Sequence, residues 1–246
     1  VALVKFLVPF KPIRKVCNHA LEYLYRIAAW LDSFWMLTVV GIDVQVEGEI
    51  THHPSPIVVC NHQTWFDIPI IHHVITGNGQ IVKFMIKRNL VWLPIVGWLC
   101  YALNFPRLHR GKGADAKKKD FAAIESATAS MTDDRGALLI FSEGTRFTDK
   151  KRQDQRSPYQ HLLIPRPGGL RISLDSVASD TPILDMTIIY EGGETNFWRC
   201  LGGHTKKIRV IITQYTAAEV TDPRRWLSER WLEKDSYIGV SSTRSA

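Results

Sequence analysis

Cysteine is scarce in this chain. Its four cysteines, Cys17, Cys60, Cys100 and Cys200, stand far apart with no Cys-x-x-Cys among them. That scatter gives neither a disulfide framework nor zinc-ligand spacing, and it fits a reducing cytoplasmic face. No Gly-x-x-x-x-Gly-Lys-Ser/Thr stretch occurs, and Gly77-Asn78-Gly79 lacks the third glycine of a dinucleotide fingerprint, so nucleotide hydrolysis is not indicated. A Gly-x-Ser-x-Gly nucleophile elbow is missing too, which argues against a covalent serine intermediate. His52-His53 and His72-His73 have no carboxylate or cysteine at ligand spacing, so no metal site is expected. Long apolar runs are also wanting, since a bilayer span needs about 20 apolar residues. The uncharged stretch Asn89–Pro106 is interrupted by Pro94, Gly97 and Asn104 and reads as a broken buried helix followed by a short strand. There is no internal repeat and no sign of a second domain.

What is present fits one α/β domain. The 246 residues are 45% apolar, enough for a substantial core. A net charge of +7 and a pI near 9.3 favour an anionic partner, and charge alone does not choose among nucleic acid, an anionic membrane surface and a phosphorylated substrate. The opening Val1–Phe10 has no charged n-region before its apolar residues and so is no ordinary signal peptide. Two readings of it stay open: a frayed apolar terminus, or the stub of a membrane segment with Lys5, Lys11, Arg14 and Lys15 as a basic juxtamembrane cluster.

From about Ile13 to Val40 the pattern is helical, with Val16, Ala20, Tyr23, Leu24, Ile27 and Leu31 at three- and four-residue spacing. With Trp30, Phe34, Trp35 and Met36 crowding one region, this helix either packs on the domain or anchors it to a membrane interface. Asp43–Ile50 reads as a strand and Ile68–Val74 as a helix ended by Gly77. Asp115–Met131 reads as an amphipathic helix with Phe121, Ile124, Thr128 and Met131 on one face. Asp149–Ser157 reads as a polar mobile segment, Leu170–Val177 as a helix, and Ile183–Tyr190 and Ile208–Tyr215 as strands. Asp222-Pro223 opens a last helix through Trp226 and Trp231. The expected divisions are a helical membrane-associating segment over 1–42, the α/β domain over 43–238 and a disordered tail over 239–246.

Two strands end in chemistry. Ile57-Val58-Val59-Cys60 is a buried apolar run, and it delivers Asn61-His62-Gln63-Thr64-Trp65-Phe66-Asp67 to its carboxyl end, where open α/β sheets place ligands. On one regular helix at about 100° per residue, His62 and Asp67 would lie about 140° apart. They meet only if His62 lies in the loop and Asp67 in the first turn of the next helix. Asp67 would then fix the imidazole tautomer and leave the other nitrogen as a base. The run Ala137-Leu138-Leu139-Ile140-Phe141 similarly delivers Ser142-Glu143-Gly144-Thr145-Arg146-Phe147, with a tight turn at Gly144, a hydroxyl on Thr145 and a phosphate-matching fork on Arg146. Between them, Arg107, His109 and Arg110 form a cationic cluster that is either a phosphate contact or a solvated patch.

In this order the two motifs resemble the glycerolipid acyltransferase family, specifically the 1-acylglycerol-3-phosphate acyltransferases. The family's histidine-x4-aspartate motif falls on His62 and Asp67, and its Glu-Gly-Thr-Arg motif on Glu143, Gly144, Thr145 and Arg146. Phe105-Pro106-Arg107 matches its second block and Thr181-Pro182-Ile183-Leu184 its fourth. The likeness runs from about Val44 to Tyr190. A closer similarity, to the bacterial YihG-type branch, takes in Leu162–Arg166 and Trp226–Asp235. The chain has Ser142 where the third motif commonly has proline and Asp185 where the fourth does.

The resemblance implies a mixed sheet flanked by helices and transfer of an acyl group to the sn-2 hydroxyl of 1-acyl-glycerol-3-phosphate. His62 would be the general base, with Asp67 orienting it. It implies phosphate contacts at Lys87, Arg107 and Arg146, with Phe105, Gly144 and Thr145 lining the substrate and Glu143 orienting the cations. Backbone N–H groups near Gly144 would be candidate oxyanion donors. Acyl-CoA or acyl carrier protein would be the cosubstrate, with no bound cofactor. The partners would be a lysophospholipid and an anionic membrane surface, not nucleic acid, at the cytoplasmic face of a bacterial inner membrane. An acceptor such as lysophosphatidylglycerol, and a non-catalytic basic lipid-binding module, remain the alternatives.

Overall fold

The computed structural model describes residues 11–50, 53–77, 79–84, 86–87, 105, 107–108, 121–126, 128, 136–192 and 196–243. In chain order these give helix α1 (Lys11–Phe34) running into a π-helical turn (Trp35–Val39), strands β1 (Asp43–Glu47) and β2 (Ile57–Cys60), and helix α2 (Asp67–Ile71) with its own π-helical turn (His72–Thr76). Next come β3 (Ile81–Phe84), β4 (Ile86–Lys87), β5 (Arg107–Leu108), β6 (Gly136–Phe141), α3 (Asp149–Gln155) and α4 (Gly168–Asp175). The chain closes with β7 (Pro182–Tyr190), α5 (Phe197–Leu201), β8 (Lys207–Thr216) and α6 (Pro223–Thr243).

A six-stranded sheet has the order β1-β8-β7-β2-β6-β3. β7, β2, β6 and β3 run parallel, while β8 pairs antiparallel to β7 and parallel to β1, which makes the sheet mixed. The apolar runs of β2 and β6 are continuous because both faces of the sheet are covered. Val58, Cys60 and Leu139 point into one core with Met36, Phe66, Ile70 and Ile71. Ile57, Val59, Leu138 and Ile140 point into the other with Leu170, Trp226, Leu227 and Trp231.

Several expectations shift. α1 buries Cys17, Leu21, Tyr25 and Ala29, one step off the apolar set read from the sequence. Val16, Tyr23, Leu24, Ile27, Trp30, Leu31 and Phe34 are all exposed. The helix therefore has two apolar faces, and periodicity alone locates the more apolar one without saying which is covered. The segment read as mobile is the helix α3: Thr148 caps it by accepting from Lys151 N, and Arg156 closes it in the left-handed conformation at φ 50°. The expected tail is α-helical as far as Thr243, and Ser241 is buried. In residues 121–126 Phe121 faces solvent, whereas Ile124 is buried, as is Thr128 nearby. The opening Val1–Phe10, the stretch 88–104 and His109–Arg110 lie outside the described residues. No described helix is long and apolar enough to cross a membrane.

Asp185, on the β7 face toward α6, meets Lys234 of that helix at 2.8 Å, and both side chains are nearly fully buried. The Lys234 ammonium also donates to the Met186 carbonyl and, at 3.2 Å, to the Thr187 hydroxyl. Burial still holds the Asp185 carboxyl above the usual carboxylate range, against the pull of Lys234. Breaking a buried pair from one side costs about 3–5 kcal/mol. Lys234→Ala is therefore expected to lower unfolding free energy by an amount of that order. The loss should be greater at pH 8 than at pH 5, because an unpaired Asp185 folds more readily protonated and its penalty grows as pH rises above the unfolded pKa. Urea titrations at both pH values measure it; an equal small loss at both would contradict the assignment.

Candidate functional site

The site is built where β2 and β6 end side by side, with Cys60 opposite Phe141 in the register. β7 flanks β2 on its other edge and outruns it. Cys60 pairs with Met186, so Thr187 to Tyr190 extend beyond the end of β2. Asn61 fills the missing ladder: its side-chain amide donates to the Ile188 carbonyl at 3.0 Å and its side-chain oxygen accepts from Ile188 N–H at 2.9 Å. The chain then leaves the sheet, so His62 lies in the loop and Asp67 opens α2, the arrangement that the five-residue spacing required.

His62 Nδ1 lies 2.7 Å from Asp67 Oδ2. The same oxygen accepts from the backbone N–H of Gln63 at 2.8 Å and of Thr64 at 3.1 Å, and Oδ1 accepts from the Tyr190 hydroxyl at 2.6 Å. A fully buried carboxylate thus has donors on both oxygens, as buried polar groups require. Burial, and the Asp67 charge beside it, push the Tyr190 phenol well up, keeping it protonated as a donor. The imidazole stacks on Phe141 with ring centroids 3.9 Å apart and planes 16° apart. This geometry pins one ring nitrogen and the ring plane while the other nitrogen stays available for proton transfer.

The second loop wraps the first. Phe147 N–H donates to the His62 carbonyl at 2.8 Å. Gly144 turns at φ 70°, a conformation that costs a residue with a Cβ about 1–2 kcal/mol. Its N–H bonds the Phe141 carbonyl at 2.9 Å. The N–H groups of Gly144 and Phe147 are thereby committed, while those of Thr145 and Arg146 have no acceptor among the described residues. The Thr145 hydroxyl accepts from Lys151 Nζ at 2.9 Å, and Lys151 also holds the Arg146 carbonyl at 2.8 Å. Arg146 is exposed and lies over the Trp65 ring, 4.8 Å from its centroid.

Two sequence-derived assignments are corrected. Glu143 does not pair with Arg146, the one of the three proposed cations whose side chain is described. It is fully buried, Oε1 accepts from His62 N–H at 3.5 Å, and the backbone of Leu163 also bonds it, so it braces the loops from within. Phe105 packs edge-to-face on Phe84, 5.1 Å between centroids, and is buried there instead of lining an open surface. Lys87 and Arg107 belong to the short parallel pair β4–β5, and their side chains lie outside the described residues. Tyr190 and Asn61 are the site residues the sequence reading missed. Asn61 stood next to the motif; Tyr190, 123 positions from Asp67, carried no local signal.

Burial pushes the Glu143 carboxyl well above the usual range, outweighing its two backbone donors. Its folded pKa therefore exceeds its unfolded pKa, so the native state is progressively penalised as pH rises from the usual carboxylate range toward the raised value. Glu143→Gln keeps the shape without the charge. Denaturant titrations between pH 5 and pH 8 are expected to show the variant gaining on the unmodified chain as pH rises; a pH-independent difference would mean that Glu143 is charged throughout.

Residues 42–189 match the protein-family model described as Acyltransferase. Among curated proteins, an uncharacterised acyltransferase of Schizosaccharomyces pombe is 25% identical over 210 residues, covering 74% of this chain and 58% of its own length. The 1-acyl-sn-glycerol-3-phosphate acyltransferase 3 of Arabidopsis thaliana is 23% identical over 247 residues, covering 92% and 64%. The chain thus spans roughly three fifths of the length of these relatives. The crystal structure of the 1-acyl-sn-glycerophosphate acyltransferase PlsC from Thermotoga maritima superposes with a TM-score of 0.60 at 22% identity, covering 96% of this chain and 86% of that one. That likeness is one of fold.

Proposed function

The chain belongs to the acyltransferase family, and from that footing we propose that it moves a fatty acyl group from a thioester, acyl-CoA or acyl carrier protein, to the sn-2 hydroxyl of 1-acyl-glycerol-3-phosphate. The relatives named for 1-acyl-sn-glycerol-3-phosphate support this acceptor. The observation that carries the reading is the 2.7 Å contact between His62 Nδ1 and the buried, multiply bonded Asp67 carboxylate.

An alcohol is a poor nucleophile at neutral pH. His62 removes the acceptor's hydroxyl proton at Nε2 as the oxygen attacks the thioester carbonyl, and Asp67 stabilises the imidazolium so formed. The thiolate then leaves as the tetrahedral intermediate collapses and recovers the proton from His62. Loop N–H groups without an acceptor, those of Thr145 and Arg146, are the candidates to receive the oxyanion. Arg146 holds the acceptor phosphate, with Lys87 and Arg107 assigned to the same task from their motif positions. The chemistry needs no bound cofactor. The similarity at Leu162–Arg166 and Trp226–Asp235 favours the YihG-type branch.

Purified chain, lysophosphatidic acid and a long-chain acyl-CoA, or acyl carrier protein as donor, are expected to release free thiol only when acceptor is present. His62→Ala should lower the rate by at least about 10³-fold, with near-native circular dichroism. Release that survives His62→Ala, or none with either donor, would overturn the reading.

We also propose that α1 lies on the cytoplasmic surface of an anionic bacterial inner membrane, with 1–42 as the associating segment and 43–238 as the catalytic domain. The support is the outward face of Val16, Tyr23, Leu24, Ile27, Trp30, Leu31 and Phe34 beside a chain of net charge +7. The paired substitution Trp30→Glu/Phe34→Glu is expected to cut co-sedimentation with phosphatidylglycerol vesicles at least about tenfold. Unchanged sedimentation would refute it.

A further inference from the structure

The structure points to a second phosphate-recognition point at Arg166, which lies along the Gly144 backbone whereas Arg146 lies over the Trp65 ring; we propose that the rim of the His62 site addresses two phosphates instead of one. The identity of those phosphates rests on the acyl-transfer reading, whereas the existence of the subsite rests on the placement of the cations.

Arg166 is fixed to the catalytic loop by its backbone. Its N–H donates to the Ser142 carbonyl at 2.7 Å, and the segment before it is tied down where Ile164 N–H meets Gln155 Oε1 of α3 at 3.2 Å. Its side chain, exposed to solvent, runs along the bare backbone of Gly144: a Cβ placed on that glycine would lie 3.7 Å from both Cδ and Nη1 of Arg166. Arg146 lies instead over the Trp65 ring. Stacking engages the face of a guanidinium and leaves its edge donors for a planar or tetrahedral anion. Lys151, which bonds Thr145 and the Arg146 carbonyl, adds a third positive charge to the same loop.

Countercharge is wanting here. Among the described residues, neither Arg146 nor Arg166 has a carboxylate within ion-pair distance, whereas Arg209, Arg225 and Arg230 each have one at 2.6–2.9 Å. The loop's own acid, Glu143, is turned into the interior. Two guanidinium groups beside one strand end, paired with no carboxylate among the described residues, form an electropositive rim that attracts anions. Held by different partners, Arg166 by the Gly144 backbone and Arg146 by the Trp65 ring, they offer two points of attachment. An acyl transfer to a phospholipid precursor has two phosphorylated reactants, the acceptor's headgroup phosphate and the phosphates of a coenzyme A or phosphopantetheine donor.

Calorimetric titration of the full chain with glycerol 3-phosphate and, separately, with adenosine 3′,5′-bisphosphate tests this without turnover. Arg166→Ala is expected to weaken one fragment about tenfold or more and leave the other unchanged, with Arg166→Lys recovering part of the loss. Arg146→Ala should weaken the other fragment. Loss confined to the bisphosphate places Arg166 on the donor, in keeping with Arg146 on the acceptor; loss confined to glycerol 3-phosphate keeps the second subsite but exchanges the two roles and overturns the acceptor role given to Arg146 above. Unchanged binding of both fragments to Arg166→Ala, equal weakening of both with native circular dichroism, or no binding of either to the unmodified chain would overturn the proposal. A chain that binds both fragments as described yet releases no thiol would overturn the catalytic reading and leave this one standing.

Discussion

A carboxylate without solvent can remain ionised beside a histidine only if its oxygens are given enough donors, and this demand on Asp67 shapes the surrounding chain. Two donors come from its own loop, the N–H groups of Gln63 and Thr64, and a third from Tyr190 at the far end of β7. Tyr190 arrives there because β7 lies next to β2 and extends four residues beyond it. The strand order of the sheet is thus what completes the histidine–carboxylate pair. Asn61 serves the same end by bonding both backbone groups of Ile188, which fixes the point where the catalytic loop departs from the sheet.

β6 supplies the other half of the restraint. Phe141 gives the imidazole a stacking surface, and Glu143 reaches back from the next loop to the His62 backbone. His62 is held from two strands and its neighbouring helix, so little ordering is left to be done when a substrate arrives. The polar groups behind the site are arranged in the same economy. Glu143 takes a backbone donor on Oε1 while Oε2 has no hydrogen-bond partner among the described residues, and Asp185 is ion-paired with the α6 ammonium, which also ties α6 to β7 just before its overhang begins.

What was legible in the sequence was what is local in the chain. The continuous apolar runs announced strands buried on both faces, and the His62–Asp67 spacing demanded a loop followed by a helix start, which is the geometry observed. Pro223 after Asp222 likewise marked the start of α6, where Asp222 accepts from Arg224 N–H at 2.9 Å. What was hidden depends on tertiary partners. Nothing near Tyr190 signals its bond to Asp67, and the motif position of Glu143 gave no hint that it points inward. The covered face of α1 was hidden because the helix has two apolar faces and the more apolar one is exposed, and α3 was hidden because a polar segment held by a Thr148 cap reads as mobile.

The central claim is that Asp67 fixes the proton of His62 on Nδ1 and leaves Nε2 bare to accept one. Nitrogen-15 spectroscopy of the histidine rings, assigned with the His62→Ala protein, reads this tautomer directly in the neutral state. The account requires the His62 Nδ1–H form in the unmodified chain and its loss as the dominant tautomer in Asp67→Asn. A neutral His62 protonated on Nε2, or a tautomer balance untouched by Asp67→Asn, would contradict it.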